Sequence, residues 1–314
     1  MKKTNLLAGL VAFLFVCDCN ALEFTVGLDA KDSDFTYSKC EMKDWGSRKK
    51  LPGKPGPNDK LQTYYNKNLD IDADINVASL GILNGSSMNI SGRRGIKISK
   101  EVGFNLGGKD QISSLNLKNS EMKVGGGIKF GCYPNSRELG TGLVYLEDSA
   151  LHVNRNLSSS FPVDGNAGFF NNKGKRGGIV LDLKGKSLFE LEGGIVHDMQ
   201  IVDNPKSFQF KIRLSDSGGA VPKVRFAKGA DLACADLEIN ISGPLKKGSY
   251  TLLELESRRS SLKNLRSVTL NGKPAALNEN FTVAGREAEL KIAASKSPSS
   301  KDKSTKNDLL LEIK

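Results

Sequence analysis

Residues 112–131 read ISSLNLKNSEMKVGGGIKFG. Apolar side chains come in pairs two positions apart, Leu115/Leu117, Met122/Val124 and Ile128/Phe130, with polar residues or glycine between the pairs. Residues two apart on a strand face the same way. The stretch therefore spells three short strands, each with two side chains for one interior. One such strand cannot bury its pair alone. Stacking equivalent strands from successive copies makes a continuous apolar column and gives every backbone group a partner above and below.

Further copies of the unit support that reading. Leu80-Gly-Ile82 is followed by Met88-Asn-Ile90, Val144-Tyr-Leu146 by Leu151-His-Val153, and Leu181-Asp-Leu183 by Leu188 and Leu191. Val224-Arg-Phe226 is followed by Leu232-Ala-Cys234. Turn formers lie in the gaps: Asn84-Gly85-Ser86, Asn119-Ser120, Asp148-Ser149, Gly185 and Gly229. A third strand often follows a glycine, as at Gly95-Ile96, Gly127-Ile128 and Gly194-Ile195. The reading is an all-β parallel β-helix, with Ile82, Leu117, Leu146, Leu183 and Phe226 predicted to share one inner stack. These positions lie 35, 29, 37 and 43 residues apart. Such irregularity fits a solenoid that loops out extra residues, as from Leu157 to Arg176. An antiparallel sandwich would explain the alternation but not the repeated strand–turn–strand unit.

The chain divides into four parts. Residues 1–21 read as a secretory signal peptide: Met1-Lys2-Lys3, an apolar run from Leu6 to Val16, then the small residues at Cys19-Asn20-Ala21. Beyond it no apolar run is long enough for a membrane helix. Residues 22–66 form a lead-in with Trp45, the chain's one tryptophan, and the Pro/Gly-rich LPGKPGP. The solenoid occupies 67–244. Residues 245–314 read as an antiparallel β cap, with hairpin strands, an Asn271-Gly272 turn and a polar loop at 294–307 expected to be mobile.

The early Trp45, the Pro/Gly-rich segment leading to Asp59, a strand with outward acids, the SLGIL…SMNISG rungs and the ending GSYTLLEL…VTLNGKPAAL…AELKI…DLLLEI resemble exported bacterial autotransporter-passenger-like β-helix repeat proteins. The resemblance spans nearly the whole mature chain and rests on pattern. It implies a right-handed β-helix, an extracellular or cell-surface location and no catalytic residues to carry over. The chain departs from such proteins in showing no translocator barrel, sorting peptide or terminal anchor helix.

Charge and cysteine usage narrow the partners. A formal net charge of +11 suits acidic polysaccharide, although lysines also keep β-edges soluble. The basic clusters Arg48–Lys50, Arg93-Arg94, Lys173–Arg176 and Arg258-Arg259 are scattered and not interleaved with aromatics, which speaks against a nucleic-acid groove. Cys40, Cys132 and Cys234 lack Cys-x-x-Cys spacing, so zinc and redox chemistry have no sequence support. One disulfide among them or three small half-buried residues are both compatible with this spacing.

Chemistry-bearing patterns are few. Asp216-Ser217-Gly218-Gly219 matches the core of trypsin-like proteases, but His152 and His197, the chain's two histidines, both sit in strand patterns, and Ser215 replaces the usual preceding glycine. A polar turn is the better reading. Asp70-x-Asp72-x-Asp74 starts like a calcium loop, yet Ile75 and Gly81 stand where glycine and glutamate are required. Gly125-Gly126-Gly127 precedes no helix and is no phosphate loop. Asp182, Glu190 and Glu192 are carboxylates that a polysaccharide lyase or hydrolase could use, with nothing marking them as a pair. The sequons at Asn84, Asn89, Asn156, Asn240 and Asn280 read as turn chemistry. No catalytic, cofactor-binding or metal-ligating residue is assigned, and no cofactor is expected. The expectation is a secreted or surface β-solenoid of structural or adhesive type. The alternatives are a polysaccharide-active enzyme or a binding module for anionic glycans.

Overall fold

The computed structural model describes residues 21–93, 95–106, 111–131, 140–160, 178–193, 195–197, 209–227, 232, 235–257, 262, 265–296 and 305–314. Residues 1–20 of the expected leader, Arg94, Cys132, Cys234, Lys173–Arg176, Arg258-Arg259, residues 161–176 of the looped-out segment and 297–304 of the polar loop lie outside them. Among the described residues there are twenty-six β-strands and no α-helix. Most pair in parallel, so the chain is an all-β protein with the ladder of a β-solenoid.

Each coil visits up to three faces. Face one is a ten-stranded sheet. It runs through β2 (Asp34–Thr36), β5 (Asn68–Ile71), β7 (Ser87–Ser91), β9 (Ile112–Lys118) and β12 (Thr141–Glu147). It continues through β15 (Gly178–Lys184), β18 (Gln209–Ser215), β20 (Ala235–Asn240) and β22 (Ser267–Leu270), and ends on β23 (Lys273–Pro274). Face two starts with the first parts of β6 (Ile75–Ile82) and β8 (Ile96–Asn105). Then follow β10 (Glu121–Val124), β13 (Ala150–Val153), β16 (Leu188–Leu191), β19 (Lys223–Phe226) and β21 (Gly248–Ser257). Face three takes β1 (Glu23–Val26), β4 (Lys60–Thr63), the second parts of β6 and β8, β11 (Ile128–Gly131), β14 (Leu157–Ser160) and β17 (Ile195–His197). In β6 and β8 one long strand serves two faces, and the register shifts between Val77 and Ser79 where it turns the corner.

The register stacks like on like. Ile71, Ile90, Leu117, Leu146, Leu183, Leu214, Ile239 and Leu270 form one inner column of face one, all of them buried. Leu117, Leu146 and Leu183 therefore share a stack as the sequence predicts. Ile82 and Phe226 do not. Ile82 lies on face three beside Phe104, which stacks on Phe130 with centroids 4.6 Å apart. Phe226 lies on face two beside Leu191. The face-one counterparts are Ile90 and Leu214. The coil between β15 and β20, carried by Ile212-Arg-Leu214, escapes the sequence alignment.

The corner between faces one and two shows why the copies carry Asn, Asp, Gly and Ser there. Gly92, Asn119, Asp148 and Gly185 all follow a face-one strand with positive φ, at 64°, 48°, 48° and 67°. Glycine adopts that conformation freely, and Asn and Asp tolerate it. Beneath it Ser120, Ser149 and Ser187 are buried and bonded coil to coil: Ser120 N–H donates to Ser149 Oγ at 3.1 Å, and Ser149 N–H to Ser187 Oγ at 3.3 Å.

The ends differ from the middle. β3 (Met42–Asp44) pairs antiparallel with β1, while β1 is already in parallel register with β4, so the parallel ladder begins upstream of residue 67. At the other end β24 (Asn280–Val283), β25 (Arg286–Lys296) and β26 (Thr305–Ile313) are antiparallel, and β26 also pairs antiparallel with β21.

Candidate functional site

The outward side chains of the C-terminal coils are consumed in ion-pair ladders. On face two, His152, Glu190, Arg225 and Glu254 occupy one row on successive strands. His152 Nδ1 lies 2.7 Å from Glu190 Oε2, Arg225 binds the other oxygen of Glu190, and Lys223 pairs with the buried Glu254. Burial alone would raise the Glu190 pKa, but the bonds from His152 and Arg225 outweigh it and hold the carboxyl below its ordinary value. On face one, Arg213 stands between Asp182 at 2.7 Å and Glu238 at 3.1 Å. Glu238 likewise would be raised by burial, and is instead held low by Lys211 and Arg213. A carboxylate kept ionised in this way is a poor proton donor.

Asp182 and Glu190 thus fall on different faces, and Glu192 is exposed just past β16. The Asp216 motif is a turn: Ser217 and Ala220 bridge across positive-φ Gly218 and Gly219. Asp216 itself is buried, accepting Ser242 N–H at 2.6 Å and Gly243 N–H at 3.0 Å. His152 belongs to the ladder above. His197 ends β17, and its side chain is outside the described set. Asp70 accepts from Asn89 Nδ2 at 2.8 Å, and Asn89 from Asn116 Nδ2 at 2.8 Å, a ladder that accounts for one of the sequons. Asp72 accepts Ser38 N–H at 2.8 Å, and the Ser38 bonds lower its pKa. Among the described residues no group of three or more His, Cys, Asp or Glu side chains is placed to hold a metal ion. Cys40 is a free, half-buried thiol whose pKa burial pushes up.

Face three is different. The row facing away from its core reads Thr25, Gln62, Gly81, Gly103 and Lys129; Thr25 and Gln62 are buried and bonded to each other, Gln62 overlies Gly81, and Gly103 is left open. A groove of about 480 Å³ opens over this floor, lined by Glu23, Lys60, Gln62, Ser79, Gly103 and Trp45. A second depression of about 430 Å³ shares Glu101 with it. That one is lined by Lys100, Lys129, Arg155 and the backbone of Gly125 to Gly127. Together they run lengthwise across the coils from β1 to the segment before β14. Six strands at the usual spacing make about 24 Å.

One end of the groove is aromatic. β3 runs back along β1 and delivers Trp45, whose amide bonds to Glu23 O at 3.3 Å. Tyr64, just past β4, sits 5.7 Å from the Trp45 ring and Tyr65 6.2 Å, nearly edge-on at 78°. The two tyrosines are themselves 4.7 Å apart. A ring so braced has few rotamers open to it. The other end is cationic. Lys100 and Arg155 are exposed and stand outside the ion pairs formed among the described residues, whereas Lys129 is paired with Glu101.

The glycines of the two depressions have separate causes. A Cβ on Gly126 would sit 1.7 Å from Lys100 O, so the coils nest there only without side chains. On Gly103 a Cβ would meet nothing closer than Leu80 O at 3.8 Å, an ordinary contact. Glycine in mid-strand weakens a sheet and often marks a bulge, a bend, or close approach by a ligand or another backbone. Packing therefore does not require Gly103.

No protein-family model matches the chain, and neither a curated protein nor a solved structure matches it significantly.

Proposed function

We propose that the protein is an exported or cell-surface β-solenoid, coiled in the right-handed sense and closed at its C-terminal end by β24–β26, that acts by binding rather than by catalysis. Right-handed crossover is the rule for connections between parallel strands. The leader-like sequence of residues 1–21 supports export. The antiparallel strands after β21 support a cap, since they take up the edge that a further parallel coil would occupy.

The observation that carries the non-catalytic reading is the spacing and engagement of the carboxylates in the groove and in the arginine ladders. Glu23 and Glu101 in the groove are three strands apart through Lys60 and Ser79, about 14 Å at normal strand spacing. Glycoside hydrolysis needs roughly 5–9.5 Å between its two acids. The pairs two strands apart, Asp182/Glu238 and Glu190/Glu254, have an arginine between them. The test is incubation with neutral and acidic polysaccharides, following reducing ends and the absorbance of unsaturated uronate products. No release above a heat-denatured control is expected, and steady turnover would refute the reading.

A further inference from the structure

We infer that the groove on face three is a binding site for an acidic polysaccharide. Its sugar rings stack at Trp45, and its carboxylate or sulfate groups meet Lys100 and Arg155. The inference deepens the binding role proposed above and rests on it.

Three independent features converge on this ligand class. The first is shape. The floor is a sheet surface left open at Gly103, beside Gly81 that the Gln62 side chain overlies, and the groove runs across several coils, which suits an extended chain better than a compact molecule. The second is the wall. Trp45 stands in the wall, with the Tyr64 and Tyr65 rings 5.7 and 6.2 Å from its own, whereas Phe104, the other aromatic lining the groove, is buried in the core. An indole held in place presents an apolar face with little loss of conformational freedom, as the CH-rich face of a pyranose requires. The third is charge. Lys60 and Lys129 are engaged with Glu23 and Glu101 inside the groove, so the cations left to meet an outside anion are Lys100 and Arg155, both at the end away from Trp45. Neutral glycan would use the aromatic end alone. A nucleic acid would call for aromatics interleaved with the cations along the track, and here the two are segregated.

Gly103 separates ligand binding from fold. Its outward position accepts a side chain without collision, and valine is a better strand former than glycine. Gly103→Val should therefore keep or raise the melting temperature while filling the groove.

Trp45 is the one tryptophan in the chain, so its emission reports on this site directly. The experiment titrates the full secreted chain with polygalacturonate, alginate and neutral pullulan, following Trp45 fluorescence and the heat of binding. Saturable emission changes are expected with both polyuronates, weakening as salt rises, and none with pullulan at the same mass. Gly103→Val should abolish binding with an unchanged or higher melting temperature. Trp45→Ala, followed by calorimetry, should weaken it roughly tenfold. Arg155→Glu combined with Lys100→Glu should remove the salt dependence. Absence of binding by either polyuronate overturns the inference, as does binding that survives Gly103→Val. Equal binding of pullulan overturns the anionic subsite. Binding accompanied by product release would leave the site standing and overturn the non-catalytic role instead.

Discussion

Ser120 and Ser149 occupy the same corner of successive coils, and the amide of the first donates to the hydroxyl oxygen of the second at 3.1 Å. Ser149 Oγ in turn donates to Glu147 O at 2.7 Å. Both side chains are buried, so the bond is shielded from water. Ser149→Ala leaves the Ser120 amide without that acceptor and should cost about 1–3 kcal/mol. The urea midpoint should fall with an unchanged slope, while Ser217→Ala, at the exposed turn, should leave it where it is.

Leu117 is fully buried, with Ile90 on one side and Leu146 on the other. Leu117→Ala should cost about 2–5 kcal/mol. Leu117→Asp puts a charge into the column and should abolish the cooperative melt seen by circular dichroism. A retained melting transition would mean that Leu117 does not face the interior.

Asp216 fixes the segment after β20 through the amides of Ser242 and Gly243 and the Ser242 hydroxyl at 3.0 Å. Asp216→Ala should destabilise by about 1.5–3 kcal/mol, as expected for bonds to a charged acceptor. Chemical denaturation checks it. Asp216→Asn should recover part of the loss, because its carbonyl still accepts one of the amides.

Stability should fall in acid. Glu147 is held below the usual carboxylate range by Lys184 and Lys118, and Asp236 by Arg266 against the opposing effect of burial. A carboxylate lowered on folding stabilises the protein fully above its unfolded pKa, near 4 for these residues. That stabilisation is lost as pH falls through the folded value. Melting temperatures should be level from neutrality to about pH 5 and decline below about pH 4. Glu147→Gln should shrink the decline.

Gly126→Ala should be severe for the fold where Gly103→Val leaves it intact, because its added carbon lands on Lys100 O. Loss of soluble protein, or a melting temperature well below that of the parent chain, is the expected result.

The middle of the solenoid was legible because Leu115/Leu117, Val144/Leu146 and Leu181/Leu183 recur on one face with a turn at a fixed distance. The first and fifth copies misled for a physical reason. A two-residue period says that side chains share a side of a strand, but not which of three faces the strand occupies. Leu80/Ile82 and Val224/Phe226 carry the same pattern on faces three and two. The groove was hidden differently. Trp45 and the Tyr64-Tyr65 pair are distant in sequence, and only the antiparallel return of β3 brings them together. One signal was present: the middle residue of Leu80-x-Ile82 and of Val102-x-Phe104 is glycine, where most other alternating pairs carry a polar or charged residue.

The uneven coil lengths have a mechanical corollary. Nineteen residues separate Ile71 from Ile90 and 37 separate Leu146 from Leu183, yet each pair is one hydrogen-bonded step apart. The pitch is therefore set by the ladder and not by how much chain a turn contains. A pull along the axis loads a whole turn's bonds together, while a pull on the chain from Lys314 first peels β26 away from β25 and β21. The molecule should be stiff as a strut and comparatively easy to unravel from its tail.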